Sequence, residues 1–127
     1  MAELWGTFAT WKSAFNIIHT RSGFKVDVFL CKDRPFERSV LSRRRAYALP
    51  DRPEQPIWLV SAEDVILLKL EWYRLGHGVS DRQWADVVGV LQVQAGQLDT
   101  AYLDGWATEL GVSDLLARAR SAVQESV

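Results

Sequence analysis

The alternation of apolar and polar residues predicts a β-hairpin early in the chain. Two runs rich in β-branched and aromatic residues, 15–20 and 24–31, flank a short loop that contains Gly23. This arrangement is typical of a hairpin. Because side chains alternate along a strand, the second run has one apolar face, which we expect to belong to the core. That face consists of Phe24, Val26, Val28 and Leu30.

Helical spacing and proline positions predict the elements around this hairpin. An apolar stripe indicates a helix over residues 3–14, and a proline near the first position favours another over residues 35–44. Short strands are predicted at residues 46–49 and 57–60. The segment between them, residues 50–56, holds three prolines and is interpreted as a loop.

Helix caps predict that the second half of the chain is helical. Ser61 and Ser80 are good N-caps, with Asp64 and Gln83 three residues later as reciprocal cap partners. Gly111 is suited to end a helix. The four expected helices are 62–75 after Ser61, 81–93 after Ser80, 100–110 after Asp99, and a last one from Ser113 to about Gln124.

Together these elements predict an α+β fold, in which a small antiparallel or mixed sheet built on the hairpin is covered by several helices. The chain has 127 residues, of which 48% are hydrophobic and 24% are charged, so we expect one globular domain over residues 1–127. The sheet region is predicted at residues 15–60 and the helical region at residues 61–127.

Charge and cysteine content exclude several classes of protein. Lys and Arg number 15 against 16 Asp and Glu, so no overall positive field attracts nucleic acid. Cys31 is the only cysteine, which excludes an intramolecular disulfide and leaves a poor zinc-binding set. No apolar run approaches the length of a membrane span, and the first residues do not resemble a signal peptide. We therefore expect a cytoplasmic protein without a membrane partner.

Two charged residues are predicted to lie in apolar surroundings. Asp27, between Val26 and Val28, has a desolvation cost unless it meets a metal ion or a basic side chain; the alternative is a half-exposed strand position. Lys69 falls in the apolar arc of its helix. There it either extends to solvent, pairs with an acid such as Asp27 or Asp86, or binds a phosphate.

Arginine residues are the remaining candidates for ligand binding. Arg82 and Asp86 are four residues apart on the next helix, a spacing that suits a surface ion pair. Arg38 and the run from Arg43 to Arg45 either bind phosphates or form a solvated helix end.

Four segments, taken together, resemble a bacterial nucleotidyltransferase-like family of the polymerase-β-type superfamily, which is related to toxin–antitoxin nucleotidyltransferases. They are Phe15–His19, Phe24–Phe29, Ser61–Leu70 and Ser80–Val87. In that superfamily three carboxylates bind magnesium ions that neutralise the nucleotide phosphates. The resemblance implies that Asp27 is the third carboxylate. It also implies that Lys69, Arg82 and Asp86 occupy substrate-binding positions.

One departure from the family limits what the resemblance implies. The Gly-Ser motif and the Asp-x-Asp pair lie before the hairpin in these proteins, whereas residues 1–14 contain Glu3 as their only acid. A single carboxylate does not hold magnesium tightly. We therefore expect a truncated nucleotidyltransferase-like fold that binds no cofactor alone. Magnesium would bind at Asp27 only if a partner supplied further ligands.

Three functions remain open at this stage. The first is a non-catalytic module that acts as a homodimer or with a partner protein, since the missing part would leave a sheet edge open. The second is one half of a split magnesium-dependent nucleotidyltransferase, completed by an upstream-encoded partner and using a nucleotide. The third is a nucleic-acid or antitoxin-like binding module that uses the arginines, against which the near-neutral charge argues. We rank them in this order.

Overall fold

The computed structural model describes residues 5–11, 14–29, 31–76, 78 and 80–125. Over these residues the fold is α+β, as predicted, with antiparallel sheets and a helical C-terminal half. The strands are β1 Trp5–Trp11, β2 Ala14–His19, β3 Lys25–Phe29, β4 Arg45–Leu49 and β5 Arg52–Leu59. The helices are α1 Pro35–Arg43, α2 Ala62–Leu75, α3 Asp81–Val93, α4 Thr100–Leu110 and α5 Ser113–Glu125. The chain divides into two compact units, Met1–Arg38 and Ser39–Val127.

The first unit contains a three-stranded antiparallel sheet in the order β1-β2-β3. Strands β2 and β3 form the predicted hairpin, which is confirmed. Its turn is closed by the N–H of His19, which donates to the carbonyl of Phe24 at 2.8 Å. Gly23 has a φ of +75° in this turn, a conformation that glycine adopts without strain.

The helix predicted over residues 3–14 is wrong where the structure describes it. Residues Trp5–Trp11 form β1, which pairs antiparallel with β2, with Thr7 opposite Ile17. Gly6 and the threonines favour a helix only weakly, and pairing with a neighbouring strand overrides a weak local preference. Residues 3, 4, 12 and 13 of the predicted helix lie outside the described part of the chain, and Ala14 is the first residue of β2.

The predicted core face of β3 is also wrong in part. Phe24 and Val26 are exposed, whereas the side chains of Lys25 and Asp27 are mostly shielded from solvent. These two charged groups form an ion pair, which reduces the cost of removing them from water. Leu30, the last member of the predicted face, lies outside the described residues.

The second unit, called the helical unit below, begins at Ser39 within α1 and continues into the β4–β5 hairpin. This hairpin corrects the loop predicted at residues 50–56. Strand β5 starts at Arg52, directly after a two-residue turn, and Leu49 lies opposite Arg52. The register then shifts, so that Tyr47 lies opposite Ile57. Residues 53–56 therefore bulge out opposite a single residue of β4. Proline is tolerated in such a bulge because it lacks the N–H that a regular ladder needs.

The four C-terminal helices are confirmed with three of their predicted caps. The side chains of Ser61, Ser80 and Asp99 accept hydrogen bonds from backbone N–H groups three residues later, at 3.2, 3.4 and 3.0 Å. Gly111 ends α4 in the left-handed conformation. Helix α5 begins at Ser113 itself, which therefore lies inside the helix that it was expected to cap.

These helices enclose the core of the second unit. Helix α2 packs against α3 and α4, and α5 packs against the same two helices. The side chains at the centre of this core are fully buried: Ile66, Leu67, Leu70, Val87, Leu103, Ala107, Val112 and Leu116. Every helix in the described part of the chain is too short or too polar to cross a lipid bilayer.

Candidate functional site

Asp27, the predicted magnesium ligand, lies in β3 opposite Asn16 of β2. One carboxylate oxygen lies 3.7 Å from the ammonium of Lys25, and the Asp27 side chain is 15% exposed. Among the described residues, no group of three or more His, Cys, Asp or Glu side chains is arranged to hold a metal ion. Within this unit the structure therefore gives Asp27 a basic neighbour, and its proposed role as a metal ligand stays a prediction.

Lys69, the second candidate, is buried in α2 and pairs with α3. Its Nζ donates to Oδ2 of Asp86 at 2.8 Å and to Oε1 of Gln83 at 3.3 Å. Of the alternatives that the sequence left open for Lys69, the structure shows the ion pair with Asp86. The pair is asymmetric, because the Lys69 side chain is 6% exposed and that of Asp86 is 33% exposed.

The remaining residues of this cluster differ from their predicted roles. Arg82, predicted to bind substrate with Lys69 and Asp86, is exposed on α3. Gln83 was expected only to assist the cap of α3, yet its side chain is buried and accepts the hydrogen bond from Lys69. A sequence signal for this contact exists, since Gln83 and Asp86 are three residues apart and therefore share a face of the helix.

A second polar cluster surrounds Asp64, which is completely buried in the first turn of α2. Tyr102 of α4 donates to Oδ1 of Asp64 at 2.6 Å, and the Ser61 hydroxyl donates to Oδ2 at 2.9 Å. Ser39 of α1 lies 2.8 Å from the same Tyr102 hydroxyl. The Asp64 carboxylate thus connects α2 to α4 directly, and Ser39 of α1 joins the network through Tyr102.

Arg43 completes this cluster at the end of α1. Its guanidinium lies 3.8 Å from the centre of the Tyr102 ring, a cation–π contact. It also forms ion pairs with Glu63 and, at 3.6 Å, with Asp64. The sequence predicted Arg43 only as a phosphate ligand or a solvated helix end. Its partners, 20 to 59 residues away, are invisible to local patterns.

The surroundings of this cluster shift the pKa values of Asp64 and Tyr102. Burial raises the pKa of Asp64, and the hydrogen bonds from Tyr102 and Ser61 oppose that shift. Burial and the hydrogen bond to Asp64 raise the pKa of Tyr102 to about 12. Tyr102 therefore stays protonated at neutral pH and acts as a hydrogen-bond donor to the carboxylate.

A polar cleft of about 620 Å³ lies next to Arg43 in the second unit. It is bordered by the β4–β5 hairpin, the start of α2 and the turn that follows α3. Its lining includes Arg43, Arg45, Tyr47, Leu59, Glu63 and Gln94. We refer to it below as the Arg45 cleft. Its volume falls in the range of small-molecule sites.

The β4–β5 hairpin is exposed over almost its whole length. All eight residues of β5 and four of the five residues of β4 are exposed. Trp58 is 58% exposed and Tyr47 is 54% exposed, and Ile57 and Leu59 also present apolar surface. By register, Tyr47 lies opposite Ile57, and Trp58 lies on the other face opposite Ala46. Both faces of this small sheet therefore carry large side chains in contact with solvent.

Most of the arginines proposed for phosphate or nucleic-acid binding already have partners within the protein. Arg38 pairs with Asp33, Arg43 pairs with Glu63 and Asp64, and the Arg44 guanidinium lies 4.7 Å from the Trp58 ring centre. Arg45 forms no ion pair with any residue that the structure describes. A phosphate-binding patch built from all four residues would have to break these contacts.

Comparisons with protein-family models, with curated proteins and with solved structures found no match to this chain. The similarity to nucleotidyltransferases therefore stays a prediction from the sequence. Within the described part of the helical unit, the structure shows two buried polar clusters, a polar cleft beside Arg45 and an exposed hairpin.

Proposed function

We propose that this chain is a non-catalytic, nucleotidyltransferase-like module that acts by self-association. In this proposal, β4 of one copy pairs antiparallel with β4 of a second copy. The result is a continuous four-stranded sheet in the order β5-β4-β4-β5. The observation that carries the proposal is the exposure of the two-stranded β4–β5 hairpin.

An exposed two-stranded sheet favours association for two physical reasons. A two-stranded hairpin is only marginally stable in water unless further strands are added to it or a helix packs against it. Its free edge also presents unpaired backbone groups that accept another strand. In the described part of the chain β4 pairs only with β5, so its other edge has no strand beside it.

The two edges of the hairpin are not equivalent. Strand β5 contains Pro53 and Pro56, which lack backbone N–H groups, and its register is interrupted between Arg52 and Ile57. Prolines and bulges are features that block strand addition. Strand β4, with the sequence RAYAL, has no proline. The edge of β4 is therefore the one suited to accept a strand.

A second copy is the partner that fits this edge by charge and symmetry. In an antiparallel pair centred on Tyr47, the two tyrosines face each other and Arg45 of one copy lies opposite Leu49 of the other. The two Arg45 residues are then about 14 Å apart along the strands, which avoids repulsion between like charges. Aromatic pairs across strands are favourable, and a two-fold axis makes the contact self-complementary.

We assign no catalytic role to the chain, because the residues that the family resemblance implies for catalysis have partners within the protein. Asp27 is paired with Lys25, and Lys69 is paired with Asp86. Using these groups to bind magnesium or phosphate would require breaking contacts that stabilise buried or half-buried charge.

The test is the mass of the protein in solution, measured by sedimentation velocity and light scattering at micromolar concentrations. We expect the wild-type chain to sediment with twice the chain mass. Tyr47→Lys should produce a monomer, because two lysines would then lie opposite each other across the new strand pair. Val93→Lys is the matched control, since Val93 is 77% exposed at the end of α3 and lies outside the hairpin.

Two outcomes would contradict the proposal. One is a wild-type chain that stays monomeric over the whole concentration range. The other is a dimer that dissociates equally in both lysine variants, which would point to non-specific apolar contact. Far-UV circular dichroism of both variants confirms that each remains folded.

A further inference from the structure

The Arg45 cleft is a second feature of the helical unit, and its lining shares Arg45 and Tyr47 with the strand that is proposed to pair in the dimer. A strand added at the edge of β4 bonds to backbone groups, whereas the cleft is lined by side chains of a single chain. At about 620 Å³, the cleft has room for a small organic molecule. The side chains that line it indicate which chemical class of molecule it suits.

The two arginines of the cleft have different electrostatic roles. Arg43 is held in place by Glu63, Asp64 and the Tyr102 ring, so its charge is already compensated. Arg45 lines the same cleft and forms no ion pair within the described residues. The cleft therefore contains one compensated guanidinium and one that is available to an anion. A guanidinium binds carboxylate or phosphate oxygens through two parallel hydrogen bonds.

The remaining walls suit an uncharged body attached to that anion. Tyr47 and Leu59 provide apolar surface on the hairpin side. Gln94 and Gln97, in the turn after α3, provide amide groups that both donate and accept hydrogen bonds. The lining is thus mostly polar, with an apolar wall on the hairpin side and one available positive charge, which suits a small polar anion that carries an apolar group.

We infer that the Arg45 cleft binds a small organic oxyanion, with the charged group on Arg45 and an aromatic or aliphatic body against Tyr47 and Leu59. The inference goes beyond the assembly function and does not depend on it. A carboxylate and a phosphate monoester share the required chemistry, and the experiment below separates them.

The test is a titration of the ¹⁵N-labelled full chain followed by two-dimensional NMR. The probes are phenyl phosphate, benzoate, inorganic phosphate and benzyl alcohol, each added to millimolar concentration. We expect saturable shifts at Ser61, Glu63 and Gln94 for phenyl phosphate, benzoate or both. The probe that lacks the ring and the probe that lacks the charge should each bind more weakly, because each loses one of the two contacts.

Arg45→Gln should weaken binding about tenfold or more, the factor expected for the loss of a charge-assisted hydrogen bond. Arg45→Lys, which keeps the charge but loses the planar fork, should be intermediate. Arg52→Gln is the matched control, because Arg52 lies exposed on the same hairpin but does not line the cleft. Its affinity should equal that of the wild type.

Three results would overturn the inference: no saturable shifts with either ring-bearing anion, equal weakening by Arg45→Gln and Arg52→Gln, or equal binding of inorganic phosphate and phenyl phosphate. Sedimentation of the same samples reports assembly separately. A monomeric protein that binds phenyl phosphate, or a dimer that does not, therefore separates failure of one proposal from failure of the other.

Discussion

Replacing Asp86 by asparagine should destabilise the protein through the buried ammonium of Lys69. In the wild type Nζ of Lys69 lies 2.8 Å from Oδ2 of Asp86 and 3.3 Å from the amide oxygen of Gln83. The Asp86→Asn side chain has nearly the same shape but no charge. The variant therefore removes this negative charge from beside an ammonium whose side chain is 6% exposed.

The magnitude of the loss follows from the distance and the burial. At 2.8 Å, two unit charges attract by about 6 kcal/mol at an effective dielectric constant of about 20. Removing one partner of a fully buried pair costs about 3–5 kcal/mol. Because the Asp86 side chain is 33% exposed, water nearby lowers that cost. We expect a loss of about 2–3 kcal/mol in the free energy of unfolding.

The assay is urea denaturation followed by circular dichroism and tryptophan fluorescence. Asp86→Asn should lower the midpoint without changing the slope, because the folded structure and its buried surface are kept. Lys69→Met should cost less than Asp86→Asn, since Asp86 without its partner still reaches water. In the double variant the two losses should not add, because both remove the same interaction.

Asp104→Asn is the matched control, because it removes a carboxylate from an exposed pair with Arg120. Exposed pairs contribute little, so its cost should stay within about 1 kcal/mol. A loss for Asp86→Asn no larger than that for Asp104→Asn would contradict this expectation, and so would a larger loss for Lys69→Met than for Asp86→Asn. Either result would mean that Lys69 reaches solvent and does not depend on Asp86.

Three further predictions concern other parts of the helical unit. Tyr102→Phe removes the hydrogen bond to buried Asp64 and should lower the free energy of unfolding, measured by urea denaturation, by about 1.5–3 kcal/mol. In an alkaline titration followed by tyrosine absorbance, the variant should lack the step that the wild type shows near the Tyr102 pKa of about 12. Burial raises the pKa of Asp64 above 3.8, so the folded state favours the protonated carboxyl. The contribution of Asp64 to the free energy of unfolding is therefore complete below pH 3.8 and is lost as the pH rises through the folded-state pKa. The stability of the wild type relative to Asp64→Asn, measured by thermal melting, should therefore fall as the pH rises from 3.8, and a constant or rising difference would contradict this. Gly111→Ala should destabilise the protein by about 1 kcal/mol, because Gly111 has a φ of +71°. Gly105→Ala should instead stabilise it by about 0.5–1 kcal/mol, because Gly105 lies inside α4 with open space around it. Thermal melts in which both variants shift the melting temperature in the same direction would contradict this.

The elements that the sequence predicted correctly are those governed by local interactions. Ser61, Ser80 and Asp99 cap their helices through bonds that span three residues, so the pattern and the contact lie in the same short window. Gly111 ends α4 for an equally local reason. Lys69 was also identified by helical spacing, because its position in an apolar arc requires a partner or an exit to solvent.

The elements that it missed depend on residues far apart in the chain. Strand β1 exists because it pairs with β2, and Gly6 does not reveal that pairing in advance. The start of β5 was predicted as a loop because of its prolines, which lack the N–H that a strand ladder needs. In the structure these residues lie in the bulge opposite β4, where that N–H is not required. The Asp64 cluster joins Ser39, Arg43 and Tyr102 through contacts that span 21 to 63 residues. In the sequence, the one indication of this cluster is Asp64 itself, an acidic residue directly followed by an apolar run.

The distribution of contacts in the helical unit has a consequence for folding kinetics. Helices α2 to α5 pack mainly on helices one or two places away in sequence, a topology of low contact order that predicts rapid folding. The bonds of Tyr102 to Asp64 and Ser39 instead close loops of 38 and 63 residues. Such long closures form late, so loss of the Tyr102 hydroxyl should accelerate unfolding and leave the folding arm of a chevron plot almost unchanged.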